Sequence, residues 1–188
     1  MRKLKLQMQV SIDGFAAGTQ GEMDWMVWNW DDSLKNYVID LTDSIDSILI
    51  GRKMADGFIT HWAGVAANPS NPEYSFGKKM TDAYKVVFTK TLENSTWENT
   101  DLAKGDLETE INRLKNQSGK DIIVYGGGNI VSNLIKHGLI DEYHLFVNPT
   151  ILGTGMPIFQ DLEDRSKMKL ISAKPFECGI VVLCYEPA

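Results

Sequence analysis

Hydrophobic and polar residues alternate along the chain in patterns typical of strands and helices. Leu4–Val10 alternates polar and apolar positions, which predicts a strand. Apolar residues at three- and four-residue spacing predict a helix from about Asp31 to Thr42, with an Asp or Ser as its cap. Further strands are predicted at Ser47–Ile50, Tyr84–Thr89, Asp121–Tyr125, Glu142–Asn148, Met168–Lys174 and Ile180–Glu186. Further helices are predicted to begin at Gly51-Arg52 and to cover Phe76–Ala83, Leu107–Asn116 and Asn129–His137.

The segment from His61 to Tyr74 contains Gly64, Pro69 and Pro72 together with two asparagines. These residue types favour turns over regular structure, so the segment is predicted to be a long loop. Long loops in compact domains are often functional, although this one could be a surface excursion only.

The order of the elements indicates the fold class. Strands that alternate with helices imply a largely parallel sheet with helices on both faces. The last three strands have little helix between them, which implies an antiparallel C-terminal end. We therefore expect a three-layer α/β/α protein built on a mixed, mostly parallel sheet. No linker divides the sequence, so residues 1–188 are expected to form one domain.

The composition, with 43% hydrophobic and 23% charged residues, is that of a globular protein. A net charge of −6 disfavours nucleic acid and anionic membranes as partners, so an anionic ligand would need a local site. The chain lacks a run of about 18 apolar residues, so no membrane span is expected, and its N-terminus has no apolar run of signal-peptide length.

The two cysteines, Cys178 and Cys184, are expected on one terminal strand. A separation of six residues would place them roughly 20 Å apart, which is too far for a disulfide. Two free thiols are typical of a reducing compartment, and we expect the cytoplasm.

Three consecutive glycines, Gly126–Gly128, lie between a predicted strand and a predicted helix. Glycine lets the backbone approach a ligand closely, and a helix N-terminus favours a phosphate group. A tight strand-to-helix turn explains the same residues without a ligand. The segment is not a full G-x-G-x-x-G sequence, because Val131 occupies the last position, and no lysine follows to make a P-loop.

Two further strand ends carry cations. Arg52 and Lys53 follow Gly51 at a predicted helix start, where positive charge opposes the helix dipole unless an anion lies between them. Thr89 and Lys90 end another predicted strand. The alternative explanation is that these cations are ordinary solvent-exposed side chains of an acidic protein. Together with the glycine turn, these positions follow predicted parallel strands, and the carboxyl ends of such strands bind ligands in open α/β sheets.

The loop after the first strand is rich in large apolar side chains, including Trp25, Trp28 and Trp30. Such rings could stack on a planar heterocycle, or they could form a dimer contact or part of the core. The three histidines of the chain are far apart and have no metal-ligand spacing, so no metal is expected.

Four short segments, taken in their order along the chain, resemble the dihydrofolate reductase-like superfamily: Ser11–Gly14, Ile50–Lys53, Val87–Lys90 and Val124–Gly128. The stretch Asp141–Phe159 is similar to the riboflavin-biosynthesis reductase branch of that superfamily, the RibD C-terminal domain-like family. The resemblance covers nearly the whole chain, and the ordered set is far more specific than any one of its segments.

The resemblance implies that NADPH binds across the sheet. Arg52 and Lys53 would contact the phosphate region, while Thr89 and Lys90 would lie on the side of the adenosine 2′-phosphate. The glycine turn would bind the diphosphate, and by the same resemblance its Gly126–Gly127 peptide could be cis. The implied cofactor-binding residues are Gly51, Arg52, Lys53, Met54, Thr89, Lys90, Gly126, Gly127, Gly128, Asn129, Ile130 and Val131.

The resemblance also implies a substrate side. Asp13 matches the aspartate of the family's Ser-x-Asp-Gly segment, although a turn residue beside Gly14 is an equally simple explanation. Folate reductases bind the pteridine ring with an acidic residue early in their first helix. Asp31 or Asp32 lies in that region, but either could also cap the helix. The catalytic residues that the resemblance implies are Asp13 and Asp32, and it places Gly153, Thr154 and Gly155 at the substrate end of the cofactor. The aromatic rings of Trp25, Trp28 and Trp30 complete the candidate substrate-binding residues.

The activity that the resemblance implies is hydride transfer from NADPH to a small heterocycle or a sugar-linked pyrimidine, as in the reduction of 5-amino-6-(5-phosphoribosylamino)uracil. An ordered water could donate the proton. The chain has no deaminase-like zinc motif, so only a reductase is expected. A folate- or pterin-type reductase and a non-catalytic nucleotide-binding dimer are the alternatives. A homodimer is expected because the late strands are rich in apolar residues, including Leu145–Val147 and Ile180–Leu183.

Overall fold

The computed structural model describes residues 1–160, 162 and 164–188. Its strands are β1 (Leu4–Val10), β2 (Phe15–Ala17), β3 (Ile45–Gly51), β4 (Tyr84–Phe88), β5 (Thr100–Ala103), β6 (Asp121–Val124), β7 (Glu142–Val147), β8 (Met156–Pro157), β9 (Met168–Pro175) and β10 (Val181–Pro187). Its helices are α1 (Asp32–Asp43), α2 (Arg52–Ala66), α3 (Tyr74–Asp82), α4 (Leu107–Lys115) and α5 (Gly128–Lys136).

Eight of these strands form one mixed sheet, in the order β5-β4-β3-β6-β1-β7-β10-β9. The neighbours from β5 to β7 pair in parallel, whereas β10 pairs antiparallel with both β7 and β9. The expected mostly parallel sheet with an antiparallel C-terminal end is therefore confirmed. Strands β2 and β8 pair with each other in a separate two-stranded sheet.

Helices cover both faces of the sheet, which confirms the three-layer arrangement. On one face, Leu114 of α4 and Leu134 of α5 belong to a core cluster that includes Leu6 of β1. On the other face, Ala55 of α2 and Met80 of α3 pack in a cluster with residues of β3 and β6. Because both faces are covered, the central strands are almost continuously apolar and buried.

The prediction of a long loop between His61 and Tyr74 is wrong. Helix α2 continues to Ala66, and α3 begins at Tyr74, so only residues 67–73 connect the two helices. Phe58, Trp62 and Val65 recur at helical spacing and pack against the core, which outweighs the turn-forming residues nearby. The segment is therefore mainly helical.

Two smaller differences concern the edges of the sheet. Strand β5 was not expected, because its four residues show no clear alternation. Cys178 lies in the turn between β9 and β10 and not on a strand, whereas Cys184 lies on β10. Both cysteines are free, as expected. Among the helices of the described residues, none has the length and apolar character needed to cross a membrane.

Candidate active site

The first residues of α2 and α5 meet where the neighbouring strands β3 and β6 end. A Cβ atom on Gly51 would lie 3.1 Å from the Cα of Gly127, and a Cβ on Gly127 would lie 2.9 Å from the Cα of Gly51. Gly127 also has a φ of +91°, which side-chain-bearing residues rarely adopt. The contact between the two backbones therefore explains these two glycines without a ligand, and it brings two helix N-termini together.

Both of these helix starts lack a side-chain cap. The N-cap residues of α2 and α5 are glycines that make no side-chain cap hydrogen bond, and neither helix has an acidic residue in its first turn. In contrast, Asp31 caps α1 and Asp106 caps α4 by accepting backbone N–H hydrogen bonds. The first N–H groups of a helix have no partner within the helix. The starts of α2 and α5 can therefore offer N–H donors and a favourable dipole to an anion.

The residues of the glycine turn divide into an exposed and a packed group. Gly128 and Asn129 are exposed, and nothing lies within 4 Å of the position that a Cβ on Gly128 would take. Ile130 and Val131 are buried, and the Cγ2 of Ile130 would lie 3.3 Å from a Cβ on Gly51. Only the exposed pair is therefore open to a ligand.

The expectation of a cis peptide between Gly126 and Gly127 is wrong. No cis peptide bond occurs among the residues that the structure describes. The chain reverses instead through positive φ angles of 155° and 91° at the two glycines. The turn also packs against α2, because a Cβ on Gly126 would lie 3.1 Å from the Sδ of Met54.

Arg52 and Lys53 differ in their surroundings. The Nη1 of Arg52 lies 3.1 Å from Asp56 Oδ2, and its guanidinium carbon lies 6.0 Å from the ring centroid of Trp97. The Nε of Arg52 is buried and has no hydrogen-bond partner in the described part of the chain. Lys53 is exposed. Arg52 is therefore held in place beside the helix start, and its buried Nε donor has no partner among the described residues.

Thr89 and Lys90 follow β4, whose Phe88 pairs with Gly51. The Oγ1 of Thr89 accepts hydrogen bonds from the backbone N–H groups of Thr91 and Leu92, each at 3.1 Å. Thr89 is buried, whereas Lys90 is exposed. Thr89 therefore shapes the turn after the strand, and the exposed side chain of Lys90 follows it.

Asp13 joins two loops. Its Oδ1 accepts from the Ser11 hydroxyl at 2.7 Å and from the N–H of Leu152 at 3.1 Å, and its Oδ2 accepts from the N–H of Gly153 at 2.7 Å. These hydrogen bonds, that of Ser11 foremost, favour the charged carboxylate and lower the pKa of Asp13 below its ordinary value. Asp13 is therefore ionised at neutral pH. Its hydrogen bonds also fit the alternative explanation, in which Asp13 is a turn residue beside Gly14.

The loop Gly153–Gly155 lies directly against the loop of Asp13. Strands β2 and β8 pair Ala17 with Met156, and a Cβ on Gly155 would lie 2.5 Å from the carbonyl oxygen of Ala17. Only glycine fits such an approach. The structure thus brings together Asp13 and the Gly153–Gly155 loop, two of the parts proposed for the substrate side.

The tryptophans of the first loop have different environments. Trp30 packs against Phe146, with ring centroids 6.2 Å apart, and its Nε1 donates to the carbonyl of Val27 at 2.7 Å. Trp28 stacks on Trp30 at a centroid distance of 6.3 Å but is 62% exposed. The Nε1 of Trp25 donates to the carbonyl of Glu22. Trp30 thus belongs to the core, and Trp28 presents a ring that a ligand could reach.

Asn148 is a residue of this site that the sequence reasoning missed. It is fully buried, its Oδ1 accepts from the N–H of Val27 at 2.8 Å, and its Nδ2 donates to Gln9 Oε1 at 2.7 Å. The hydroxyl of Thr150 also donates to the carbonyl of Trp25 at 3.3 Å. These bonds fix the tryptophan loop to the carboxyl end of β7. The sequence feature that could have identified Asn148 is its position as a polar residue directly after the apolar end of β7.

Asp31 and Asp32 are neighbours with different roles. Asp31 caps α1 through the N–H of Leu34 at 3.0 Å and also accepts from the N–H of Cys178 at 3.0 Å. The Ser33 hydroxyl and then the Leu34 N–H hold the pKa of Asp31 well below its usual range. The side chain of Asp32 is 95% exposed and lies 3.2 Å from Lys35 Nζ. A catalytic role for Asp32 stays a prediction without a supporting contact.

The mixed sheet with helices on both faces is the fold of the dihydrofolate reductase-like proteins. The structure aligns with dihydrofolate reductase from Enterococcus faecalis complexed with NADP(H), at a TM-score of 0.61 and 14% identity, covering 98% of this chain and 96% of that one. It also aligns with a Thermotoga maritima diaminohydroxyphosphoribosylaminopyrimidine deaminase/5-amino-6-(5-phosphoribosylamino)uracil reductase, at a TM-score of 0.69 and 18% identity, covering 100% of this chain and 57% of that one.

The chain belongs to the RibD C-terminal domain family, whose sequence model matches residues 2–182. It is also 32% identical over 186 residues to the uncharacterized protein YyaP of Bacillus subtilis (strain 168), covering 98% of this chain and 94% of that relative. The resemblance that the sequence motifs indicated is thereby confirmed.

Proposed function

We propose that this protein is an NADPH-dependent reductase that transfers a hydride to a small heterocyclic or sugar-linked pyrimidine substrate. The observation that supports this most is the pair of uncapped helix N-termini that meet at Gly51 and Gly127. Two converging helix starts without acidic residues form a site for a diphosphate. Membership of the RibD C-terminal domain family and the likeness to reductases support the same chemistry.

The residues around this point fit a nucleotide cofactor. The exposed backbone at Gly128 and Asn129 leaves room for a diphosphate, since no other atom lies within 4 Å of a Cβ built on Gly128. The buried Nε of Arg52 is a donor without a partner in the described part of the chain. A buried donor that stays unsatisfied is unfavourable, and a phosphate oxygen at the start of α2 would remove that cost. When bound, the cofactor supplies the hydride.

Preference for NADPH over NADH would come from the end of β4. The Oγ1 of Thr89 already accepts two N–H hydrogen bonds, so its own hydroxyl hydrogen remains to be donated. Lys90 is exposed beside it, and a lysine is well suited to the charge of a 2′-phosphate. We therefore assign the 2′-phosphate to Thr89 and Lys90.

On the substrate side, we assign one wall to Asp13, the Gly153–Gly155 loop and the exposed ring of Trp28. Because Asp13 is ionised, it can accept a hydrogen bond from a substrate N–H or O–H group but has no proton to give. The proton that completes the reduction would then come from an ordered water. A planar acceptor could stack on Trp28, whose own position is fixed by Trp30.

Titration with NADPH and NADH at one salt concentration tests the cofactor assignment. We expect NADPH to bind at least about tenfold more tightly, a difference of about 1.4 kcal/mol. Lys90→Glu should weaken NADPH binding more than NADH binding. Lys167→Glu is the matched control, since it makes the same charge change at an exposed residue next to β9, at the opposite edge of the sheet. Equal affinity for the two cofactors would rule out the 2′-phosphate assignment.

Hydride transfer is then measured as the loss of NADPH absorbance with a panel of pyrimidines and pterins. We expect oxidation of NADPH with a sugar-linked aminopyrimidine. Reduction of pterins alone would favour the folate-type alternative. Tight binding of NADPH without reduction of any substrate would instead favour a nucleotide-binding module.

We also propose a homodimer in the cytoplasm. The apolar residues that first suggested a dimer, such as Phe146 and Val182, are buried in the protein's own core. Exposed apolar side chains also occur on the edge strand β9, where Leu170 is 51% and Ile171 is 47% exposed. Strand β9 pairs with β10 on one side only, and the open edge of such a strand is a template for pairing with a second copy. Equilibrium sedimentation at micromolar concentration should show a dimer, and Ile171→Glu should shift it towards monomer. A wild-type monomer would contradict this proposal.

A further inference from the structure

A cluster of three possible metal ligands lies between β7 and β10. Glu142 and His144 are two residues apart on β7 and share one face of the sheet. Cys184 is the cross-strand partner of His144 on β10. A carboxylate oxygen, a ring nitrogen and the sulfur of these residues all lie within 4.8 Å of one another. His144 and Cys184 are each only 5% exposed.

We propose that Glu142, His144 and Cys184 bind a divalent transition-metal ion of the Zn²⁺ type. Thiolate, imidazole and carboxylate are the three ligand types that Zn²⁺ takes in proteins, at about 2.0–2.3 Å from the ion. The ligand atoms of a tetrahedral ion with such bonds are about 3.4–3.7 Å apart. His144 Nε2 and Glu142 Oε1, now 2.6 Å apart, would have to separate by about 1 Å to admit the ion. The sulfur of Cys184, within 4.8 Å of the other ligand atoms, would have to approach by up to about 1 Å, and a water completes the coordination. On binding, the Cys184 thiol releases its proton to solvent.

The imidazole of His144 is already oriented for this role. Its Nε2 lies 2.6 Å from Glu142 Oε1, and its Nδ1 lies 2.6 Å from the hydroxyl oxygen of Tyr37 on α1. An ion between Nε2 and the carboxylate would replace the hydrogen bond between them. The imidazole proton would then be on Nδ1, which would donate it to the hydroxyl oxygen of Tyr37, and such a hydrogen bond from the second nitrogen is the usual support of a metal-binding histidine.

Two lysines face the carboxylate of Glu142. The Nζ of Lys3 lies 3.2 Å from Glu142 Oε2, and that of Lys5 lies 3.8 Å from Glu142 Oε1. Each lysine also has a carboxylate of its own, since Glu186 lies 2.8 Å from Lys3 and Asp121 lies 3.1 Å from Lys5. The lysines therefore lower the affinity of the cluster for a cation, but they do not fully neutralise the charge of Glu142, because each also pairs with another carboxylate.

The cluster is separate from the proposed reductase site. Glu142 is the first residue of β7, which runs parallel to β1 and β6. The cluster therefore lies towards the amino ends of these strands, whereas Gly51, Gly127 and Asp13 lie at the carboxyl ends of parallel strands. An ion here would tie β7 to β10. The sequence suggested no metal because the ligands have no linear spacing, and only the cross-strand pairing of His144 with Cys184 brings them together.

Titration of metal-free, tag-free protein with Co²⁺ tests the proposal through a readout other than catalysis. We expect one ion per chain, with the near-ultraviolet charge-transfer absorption of a thiolate ligand and displacement of cobalt by Zn²⁺. Cys184→Ser should remove this absorption, and His144→Ala should weaken binding at least tenfold. Cys178→Ser is the matched control and should behave like wild type, because Cys178 lies in the turn outside the cluster. Wild-type protein without charge-transfer absorption at stoichiometric Co²⁺ would overturn the proposal.

Thermal unfolding gives a second measurement. An ion that binds only the folded protein raises the unfolding midpoint. Zn²⁺ should therefore raise the midpoint of the wild type and of Cys178→Ser, but not that of Cys184→Ser. An equal rise in the two variants would place the bound ion elsewhere and contradict the assignment. The wild-type cobalt spectrum decides the matter even if a variant fails to fold.

Discussion

Alanine at position 127 would meet the backbone of Gly51. Its Cβ would lie 2.9 Å from the Cα of Gly51, and the residue would have to keep a φ of +91°. Holding an L-residue in this region costs about 1–2 kcal/mol, and forcing an extra methyl group into packed surroundings costs about 1–3 kcal/mol. We therefore expect Gly127→Ala to lower the free energy of unfolding by about 2–5 kcal/mol.

Gly128→Ala is the matched control for this substitution. Gly128 lies in the first turn of α5, its φ is not in the left-handed region, and no atom lies within 4 Å of the added Cβ. Alanine is favoured over glycine in a helix by about 1 kcal/mol, so this variant should be as stable as the wild type or slightly more so. Urea unfolding followed by circular dichroism measures both. With a slope of about 2 kcal/mol per molar urea, the midpoint of Gly127→Ala should fall by about 1–2.5 M.

The two variants also separate packing from ligand binding. The added methyl group of Gly128→Ala points into the space that we assign to the diphosphate, so it should weaken NADPH binding although the protein stays folded. A wild-type urea midpoint for Gly127→Ala would refute the inference that the contact with Gly51 requires glycine. Unchanged NADPH affinity in Gly128→Ala would refute the placement of the diphosphate.

Three further predictions follow from the site. Asp13→Asn should lower turnover much more than NADPH affinity, measured by steady-state kinetics and cofactor titration, and an equal loss of both would contradict a place on the substrate side. Asp31→Ala should lower the urea midpoint at pH 7, whereas Asp32→Ala should not. Because folding lowers the pKa of Asp31, the ionised carboxylate stabilises the folded protein at neutral pH, and this stabilisation is lost on acidification. The difference in stability between wild type and Asp31→Ala should therefore narrow below about pH 4, and a difference that stays constant would argue against the cap. Trp30→Ala should destabilise the protein by about 2 kcal/mol or more, whereas Trp28→Ala should weaken substrate binding with little change in stability.

The sequence predicted the central strands well because both of their faces are covered. Ile48–Ile50 and Ile122–Val124 are continuous apolar runs, and such runs have few alternatives to a buried strand. The long helix α2 was harder, since Gly64 within it and Pro69 just after it suggested a loop. The packing of Trp62 and Val65 against the core decided the outcome, and that packing is not visible in the sequence.

For the site, the sequence identified the glycines but not the reason for them. Gly51 and Gly127 are 76 positions apart, and only the neighbouring places of β3 and β6 in the sheet show that their backbones touch. In the same way, the anchoring of the tryptophan loop by Asn148 depends on a contact over 121 positions, with Val27. Local patterns can indicate that a position is constrained, but they do not show which distant segment constrains it.

The position of β6 has a consequence for how the protein is made. It lies between β3 and β1 in the sheet, but it is encoded only at residues 121–124. Both neighbours of β1, which are β6 and β7, come late in the chain. At about 5–20 residues per second, the ribosome needs about 4–15 s to extend the chain from Gly51 to the end of β6. During that time β1 has no strand to pair with, and β3 has two open edges until β4 is made and one open edge afterwards. The nascent chain therefore exposes strand edges that can pair with other chains. The backbone contact between Gly51 and Gly127 can form only after the last third of the protein has begun to emerge.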